Sequence, residues 1–497
     1  MSDAAGPRGR KSARAAAGAT ESAAAREARA RHTPIASPLD PRACLAAACV
    51  GLASGLMAVA FRTSLRFAEG SHERVAALLD GYGAPGWIAL VGLAAAMGAL
   101  ARLLVARVAP ETAGSGIPGV EARLGVDEPM RWRRILPVKF FGGLAALVTG
   151  MSLGREGPTV QMGAAIGEGV GEIGVKRTSV PSKLLRKALV AAGAGAGLTG
   201  AFDAPIAGFL FVIEELRWEI SPLTYTTALV ATLCAQIVIE ALIGPDPLFG
   251  RHDSPTLPAS GFLAAAVCGL VCGVAGVVYN RCVLTALDVY DRWRSVPVWA
   301  HGAIAAALAI VVGYWLPGAT FGGDPIAGAL SRGAIDDIVR AQTIGSPYGH
   351  LPPLAPAYVL ALLVVGKLFL TSASYGCGVV GGLFAPQLVI GATLGALVAL
   401  AAGVWMPGVP LAAPLAGAGA VAVFTASVRV PATGLVLIVE MTGAANQAFP
   451  WAVAAIVAFL VATGLRNQPI YEALLDRAAA GEPAPPLLPE PAPEASR

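Results

Sequence analysis

Three short segments rich in glycine and proline interrupt the apolar parts of this sequence. They are Gly-Ser-Gly-Ile-Pro at 114–118, Gly-Arg-Glu-Gly-Pro at 154–158 and Gly-Leu-Phe-Ala-Pro at 382–386. Glycine permits a sharp turn and proline suits the first helical turn, so each segment is predicted to begin a helix. The first N–H groups of such a helix lack internal partners and carry partial positive charge.

Helix starts of this kind form an anion site when several of them converge. Backbone N–H groups suit a halide inside a membrane, because a full Lys or Arg charge would hold the ion too tightly for release. A single break is more often a corner where helices pack closely. Three breaks in one chain, two of them related by an internal repeat, favour the ion site.

The second break contains a carboxylate, Glu156, directly after Arg155. An ionised carboxylate at a helix start can occupy an anion site itself, and it can leave that site when it takes up a proton. A structural Arg155–Glu156 pair is the alternative, but adjacent residues at a helix start point apart. We therefore predict that Glu156 is both a gate and a proton carrier.

The composition indicates that these segments lie in a membrane protein. Hydrophobic residues make up 55% of the chain and charged residues only 14%, with a mean hydropathy of +0.65, which leaves too little polar surface for a soluble globule. Uncharged runs such as 43–61, 261–278 and 388–406 are long enough to cross a bilayer as helices. They are continuous rather than alternating, which argues against a β-barrel. The predicted class is an all-α integral membrane protein.

The two ends of the chain differ from this apolar body. Residues 1–42 carry eight Arg or Lys against four acids, so they account for the whole net charge of +4. We expect a disordered basic arm on the cytoplasmic side, following the positive-inside rule, with nucleic-acid binding as the weaker alternative. The first apolar run begins too far along the chain for a cleaved signal peptide and should remain as an anchor. The tail, 476–497, is rich in Pro and Ala and is also expected to be disordered.

An internal repeat divides the apolar body into two halves, 43–250 and 251–475. The first match pairs Gly154, Pro158, Gly163 and Gly167 with Gly382, Pro386, Gly391 and Gly395, an offset of 382 minus 154, or 228. The second match pairs Pro205, Gly208 and Glu214 with Pro431, Gly434 and Glu440, an offset of 226. Repeats of this kind usually bind substrate where they meet, near mid-membrane. The sequence alone leaves open whether the halves are parallel or inverted.

These segments resemble the CLC family of chloride channels and chloride/proton antiporters, of the prokaryotic type without C-terminal CBS domains. The likeness covers about 45–475 and includes Ala-Pro-Ile-Ala-Gly at 204–208, which leads into Glu214 and Glu215. It implies an inverted-repeat fold with many tilted and half-spanning helices. It also implies a homodimer with one pore per subunit.

The resemblance assigns ligands to the anion. Ser115 would supply a hydroxyl, Leu383 and Phe384 backbone N–H groups, and Tyr471 a phenol, although a tyrosine of the membrane interface would be the ordinary interpretation of Tyr471. The implied chloride-binding set is Ser115, Gly116, Ile117, Arg155, Gly157, Leu383, Phe384 and Tyr471.

The resemblance also assigns acids and a base. Glu215 would transfer protons on the inner side, which antiporters need and typical channels lack, while Glu214 and Glu440 should have a structural role at helix ends. Glu121 and Lys139 would form a buried ion pair near the pathway.

The predicted function is exchange of chloride for protons across a bacterial inner membrane, with a cytoplasmic N-terminus. A passive voltage- or pH-gated chloride channel on the same fold is the alternative. The expected partners are chloride, protons and the lipid bilayer. No cofactor, metal or nucleic acid is expected. From another class, Ser115 with His301 would be needed for an intramembrane serine hydrolase, which a lone histidine beside an apolar run supports only weakly. The protein is thus predicted not to be an enzyme.

Overall fold

A computed structural model describes residues 40–125, 129–174, 180–216, 221–251, 255–343, 350–352 and 354–481. Nearly all of the predicted basic arm and most of the C-terminal tail lie outside the described residues. Within the described ranges the chain is helical, and the only extended pairings are isolated bridges. An all-α architecture is therefore confirmed.

The first half contains nine helices within its described residues. They are α1 (Pro41–Asp80), α2 (Ala84–Val108), α3 (Ile117–Gly125), α4 (Trp132–Pro137), α5 (Gly143–Leu147), α6 (Glu156–Ile173), α7 (Ser182–Phe202), α8 (Pro205–Glu214) and α9 (Pro222–Leu242). A π-helical turn, Val138–Gly142, joins α4 to α5. Short 3-10 turns lie at Pro110–Thr112, Pro317–Ala319 and Ala445–Gln447.

The described helices of the second half follow the same plan. They are α10 (Ala259–Arg292), α11 (Val298–Trp315), α12 (Asp324–Ser331), α13 (Ile335–Gln342), α14 (Pro356–Gly376), α15 (Phe384–Gly403), α16 (Ala412–Val428), α17 (Pro431–Thr442), α18 (Ala448–Gly464) and α19 (Ile470–Gly481). The three Gly/Pro breaks precede α3, α6 and α15, as predicted.

Eight helices in the described ranges are long and apolar enough to cross a membrane. They are α1, α2, α9, α10, α11, α14, α15 and α18 with the turn before it. Several expose large apolar side chains, such as Ile237 on α9 and Leu460 on α18, which suits contact with lipid. In contrast, α6, α7 and α16 are buried along most of their lengths and form the interior.

Close helix crossings explain why small residues repeat between the halves. On α6, a Cβ at Gly163 would collide with the carbonyl oxygen of Gly193 on α7. On α15, a Cβ at Gly391 would collide in the same way with the carbonyl oxygen of Gly419 on α16. Glycine at these positions lets the backbones approach closely, the usual means of packing helices in lipid.

The two halves meet through reciprocal contacts. Gly154 N donates to Gly382 O at 2.9 Å, and Gly382 N donates back to Gly154 O at 2.7 Å. The Glu214 carboxylate accepts from the first N–H groups of α17, and the Glu440 carboxylate accepts from those of α8. Each half thus makes the same contact with the other half that it receives from it, which indicates a pseudo-two-fold axis. The predicted structural role of Glu214 and Glu440 at helix ends is confirmed.

Candidate anion site and gate

One short segment, residues 379–382, connects all three Gly/Pro breaks; it is called here the linking segment. Gly114 N donates to Val379 O at 2.9 Å, and Gly381 N donates to Gly114 O at 3.2 Å. The Gly154–Gly382 bonds described above attach the second break at the other end of the same segment. The starts of α3, α6 and α15 are thereby held together at the meeting point of the two halves.

Glu156, the first residue of α6, is fully buried at this meeting point. Its Oε1 accepts a hydrogen bond from the Phe384 N–H at 2.6 Å, and Oε2 has no hydrogen-bond partner among the described residues. A Cβ at either Gly154 or Gly382 would collide with this carboxylate. The carboxylate therefore lies against the first N–H group of α15.

Ser115 and Tyr471 lie close to each other, beside Phe384 at the start of α15. Both are fully buried, and the Tyr471 side chain is adjacent to Ser115. The rings of Tyr471 and Phe384 make an edge contact with centroids 5.6 Å apart. Neither Ser115 Oγ nor Tyr471 Oη has a hydrogen-bond partner in the described part of the chain. Two buried hydroxyl groups of this kind suit a ligand that accepts hydrogen bonds, such as a halide.

The other predicted ligands surround these hydroxyl groups with backbone. Ile117 begins α3 and is fully buried, and Gly116 before it has a φ of 83°, which favours glycine. Gly157 packs directly against Ser115, because a Cβ there would come within 2.8 Å of Ser115 Oγ. Leu383 precedes α15 and is also fully buried. The structure thus brings these predicted ligands together at three helix starts.

Arg155 faces a different environment. Its Nη1 lies 2.8 Å from Asp324 Oδ2, and its Nε donates to Ala201 O at 3.0 Å. It therefore pairs with Asp324 rather than with its neighbour Glu156. Arg155 and Asp324 line a cavity of about 280 Å³, together with Glu69 and Glu73. This Arg155 cavity adjoins the break that contains Glu156.

Glu215 directly follows α8. It is 7% exposed and interacts electrostatically with Tyr471. Tyr471 interacts in the same way with Glu156. The phenol thus lies within electrostatic range of both predicted proton-carrying acids.

The predicted Glu121–Lys139 ion pair is wrong. Lys139 is fully buried, and its amine donates to Gly114 O at 2.9 Å and to Ser115 O at 3.1 Å. The side chain of Glu121 is partly exposed and has other contacts. Two carbonyl oxygens supply the hydrogen bonds that a buried ammonium requires. Lys139 therefore fixes the shape of the Ser115 loop.

Sequence reasoning missed a second lysine of the same kind. Lys367 is almost fully buried on α14 and donates to Thr320 O at 3.0 Å and to Phe321 O at 2.7 Å. Its offset from Lys139 is 367 minus 139, or 228, the offset of the first repeat match. That equality was available in the sequence. The hydrogen bond between the Ser115 N–H and the Tyr375 hydroxyl, at 3.3 Å, has no comparable signal.

The hydrolase alternative lacks its required geometry. His301 packs against the rings of Tyr290 and Trp293, with centroids 5.3 and 6.3 Å away. Within the described chain, Ser115 Oγ and His301 Nε2 both lack a hydrogen-bond partner, so they do not bond to each other. A serine nucleophile needs a base within hydrogen-bond reach.

Comparison with known proteins agrees with this geometry. Residues 97–463 match the family model described as voltage gated chloride channel. The chain belongs to this CLC family. The H(+)/Cl(-) exchange transporter ClcA of Vibrio cholerae is 35% identical over 439 residues, which cover 86% of this chain and 88% of that protein. The ClcA protein of Citrobacter koseri is 33% identical over 450 residues, covering 88% and 89%.

Solved structures show the same CLC fold. A slow cyanobacterial Cl-/H+ antiporter superimposes with a TM-score of 0.78 at 30% identity, covering 89% of this chain and 99% of that one. A eukaryotic CLC transporter gives a TM-score of 0.70 at 23% identity, covering 88% and 74%, and shares the fold alone. The predicted fold class is confirmed: a multi-pass CLC protein with two inverted-topology halves.

Proposed function

We propose that this chain is a secondary transporter that exchanges chloride for protons, and not an enzyme. The observation that carries the proposal is the hydrogen bond from the Phe384 N–H to the buried Glu156 carboxylate. A carboxylate that occupies an anion-binding helix start competes with chloride when ionised and gives way when protonated. One residue thereby links the movement of the two ions. The names of the relatives, chloride/proton exchangers, support exchange over passive conduction.

In this proposal Ser115, Tyr471 and the backbone N–H groups at the starts of α3, α6 and α15 hold the anion. Dipoles without a formal positive charge bind a halide while still allowing release. Arg155 contributes a field from its cavity, since its side chain is held by Asp324. Glu215 transfers protons on the inner side.

We also propose one anion pathway per subunit. We further propose a homodimer in a bacterial inner membrane, with a cytoplasmic N-terminus and no cofactor. Chemical cross-linking of purified protein in detergent tests the dimer, and a species of monomer mass alone would contradict it.

Coupled flux in liposomes tests the exchange. A chloride gradient imposed on wild-type vesicles should drive protons against their own gradient, whereas a channel would leave the pH unchanged. Glu156→Ala should abolish proton movement and retain chloride flux, because no carboxylate remains at the start of α15 to compete with chloride and carry the proton. Proton pumping by Glu156→Ala would contradict the assignment.

The inner acid needs a separate variant. Glu215→Gln should keep chloride flux and lose proton coupling, because the amide cannot release a proton. Glu440→Gln is the matched control, since that carboxylate caps α8 and an amide oxygen can still accept from its N–H groups. Normal coupling in Glu215→Gln would contradict the role of Glu215.

A further inference from the structure

A buried phenol donates a hydrogen bond to the carbonyl of the peptide group whose N–H donates to Glu156. Tyr279, on α10, is fully buried, and its hydroxyl donates to Leu383 O at 3.1 Å. The same peptide group carries the Phe384 N–H, which donates to Glu156 Oε1. A continuous chain of hydrogen bonds therefore runs from the phenol through the Leu383–Phe384 peptide to the carboxylate.

We propose that Tyr279 is a positioning residue that sets how strongly the Leu383–Phe384 peptide holds its anion, whether chloride or the Glu156 carboxylate. The inference rests on the proposed function and names a residue outside its ligand set. A donor at the carbonyl oxygen polarises the peptide, and its N–H becomes a better donor to an anion. The low-dielectric interior strengthens this effect, since water does not screen the buried groups.

The phenol also restrains the orientation of the peptide. Leu383 precedes α15, and its carbonyl accepts the Gln387 N–H at 3.3 Å, a long bond. The Tyr279 hydroxyl supplies a second, shorter donor from another helix. The Gln387 side chain is next to this hydroxyl and is itself fully buried. The hydrogen bonds to the Leu383 carbonyl thus restrain the plane of the Leu383–Phe384 peptide.

The repeat counterpart of this peptide lacks such support. With an offset of 228, Leu383 corresponds to Arg155, whose carbonyl accepts from the Thr159 N–H at 3.1 Å and the Thr159 hydroxyl at 3.2 Å. Both donors belong to the same helix as the peptide. The helix of Tyr279 corresponds to α1 at an offset of 218, because Gly51 packs on Ala231 O as Gly269 packs on Ala454 O; Tyr279 then corresponds to Phe61, whose ring has no hydroxyl to donate. The phenol is therefore a specific addition to the half that presents the anion-binding N–H.

Chloride binding measured by calorimetry on the purified full-length protein tests the proposal. Tyr279→Phe removes only the hydroxyl, and we compare it in the wild-type and Glu156→Ala backgrounds. In Glu156→Ala, chloride is the only anion that can accept from the Phe384 N–H. Loss of the Tyr279 hydrogen bond should therefore raise the Kd for chloride roughly fivefold. In the wild type, the same loss also weakens the binding of the competing Glu156 carboxylate to this N–H. The two effects oppose each other, so the Kd for chloride should change less than about twofold.

Two further variants distinguish the proposed role from a general packing effect. Tyr290→Phe is the matched control, because Tyr290 is a buried tyrosine about three turns along the same helix and contacts Trp293 and His301 instead. It should leave the Kd unchanged in both backgrounds. A ring-fluorinated tyrosine at position 279 is a stronger donor and should shift the Kd in the direction opposite to phenylalanine.

An unchanged Kd in Tyr279→Phe/Glu156→Ala relative to Glu156→Ala overturns the proposal. An equal loss of chloride affinity in both backgrounds also overturns it, because a packing defect would act whether or not the Glu156 carboxylate competes. A loss of affinity in Tyr290→Phe equal to that in Tyr279→Phe overturns it as well. Should Tyr279→Phe not fold, the fluorinated protein decides the question by the sign of its shift. Calorimetry requires no transport, so a failure of chloride/proton exchange in liposomes remains a separate result.

Discussion

Two loops of the molecule share a pattern of positive φ values but present different side chains. The Ser115 loop precedes α3 and has positive φ at Gly114 (61°) and Gly116 (83°). The 320–325 loop precedes α12 and has positive φ at Phe321 (53°) and Gly323 (85°), an offset of 207 in both cases. A buried lysine, Lys139 or Lys367, donates to two successive carbonyls of each loop.

The side chains that the two loops present are different. The Ser115 loop presents a buried neutral hydroxyl, packed against Gly157 and next to Tyr471. The 320–325 loop presents a partly exposed carboxylate, Asp324, which pairs with Arg155 in an open cavity. Loops of similar backbone thus present a buried uncharged hydroxyl in one case and a partly exposed ion pair, the charged vestibule, in the other. Under the proposed function, we expect a halide to be held by the dipoles of the first loop and only guided by the charges of the second.

Removal of each lysine should have the largest effect and should separate the two loops. Lys139→Met leaves the carbonyls of Gly114 and Ser115 without their donor, and each buried carbonyl that loses its partner costs about 1–3 kcal/mol. We expect a lower melting temperature and chloride binding weakened more than about tenfold. Lys367→Met should lower the melting temperature similarly, because it strips two carbonyls from the other loop.

Calorimetry with chloride distinguishes the two lysine variants. Lys367→Met should keep its chloride affinity within about threefold of the wild type, since that loop does not contribute the central ligands. Equal loss of binding in both variants would show that the loops are not functionally distinct.

The second largest difference between the two loops should come from adding a single methyl group to a glycine at each of them. Gly157→Ala places a Cβ within 2.7 Å of Ser115 Cα, so the Ser115 loop must shift away from α6. Overpacking of this kind costs about 1–3 kcal/mol, and we expect chloride affinity and coupled flux to fall about tenfold. The control is Gly322→Ala, at the position that corresponds to Ser115. Its Cβ would meet Leu153 O at 3.5 Å and Ala385 Cβ at 3.6 Å, which are ordinary contacts.

Gly322→Ala should therefore change affinity and flux less than about twofold. Normal chloride binding by Gly157→Ala would mean that Ser115 is not held against α6 in the working protein.

Local sequence patterns predicted the helix starts and the repeat, because both depend on residues close together in the chain. Gly/Pro chemistry fixes where α3, α6 and α15 begin, and the spacing of Glu214 and Glu440 identified two equivalent helix ends. The linking segment was not predictable in this way, since Gly114 and Val379 are brought together only by the fold. The αL conformation of Phe321 was hidden for a different reason: its counterpart is Gly114, and a phenylalanine gives no local sign of positive φ.

Lysine partners illustrate the same limit. A buried lysine requires a partner with negative charge or partial charge, and the family resemblance implied Glu121 as that partner. The structure supplies partial charges instead, from two consecutive carbonyls of a sharply turned loop. Sequence could identify Lys139 as important but not distinguish an acid from a carbonyl, because the loop conformation creates the acceptors.

The charged vestibule should give the smallest effect and the one most sensitive to salt. Asp324→Asn removes the partner of Arg155, whose Nη1 lies 2.8 Å from the carboxylate, while Glu69 and Glu73 remain in the cavity. The local potential becomes more positive, so chloride arriving from this side should be attracted more strongly. At low ionic strength we expect the initial chloride flux to rise by up to about threefold, and at high salt the difference should vanish through screening.

Asp288→Asn provides the matched control for that flux measurement, because it makes the same change in net charge at a pair with Arg477, away from the Arg155 cavity. It should leave the flux from the Arg155 side unchanged at every salt concentration. A slower flux in Asp324→Asn that persists at high salt would mean that Asp324 shapes the pathway directly. In that case the 320–325 loop would bind the anion as the Ser115 loop does, and the division between a binding loop and a guiding loop would not hold.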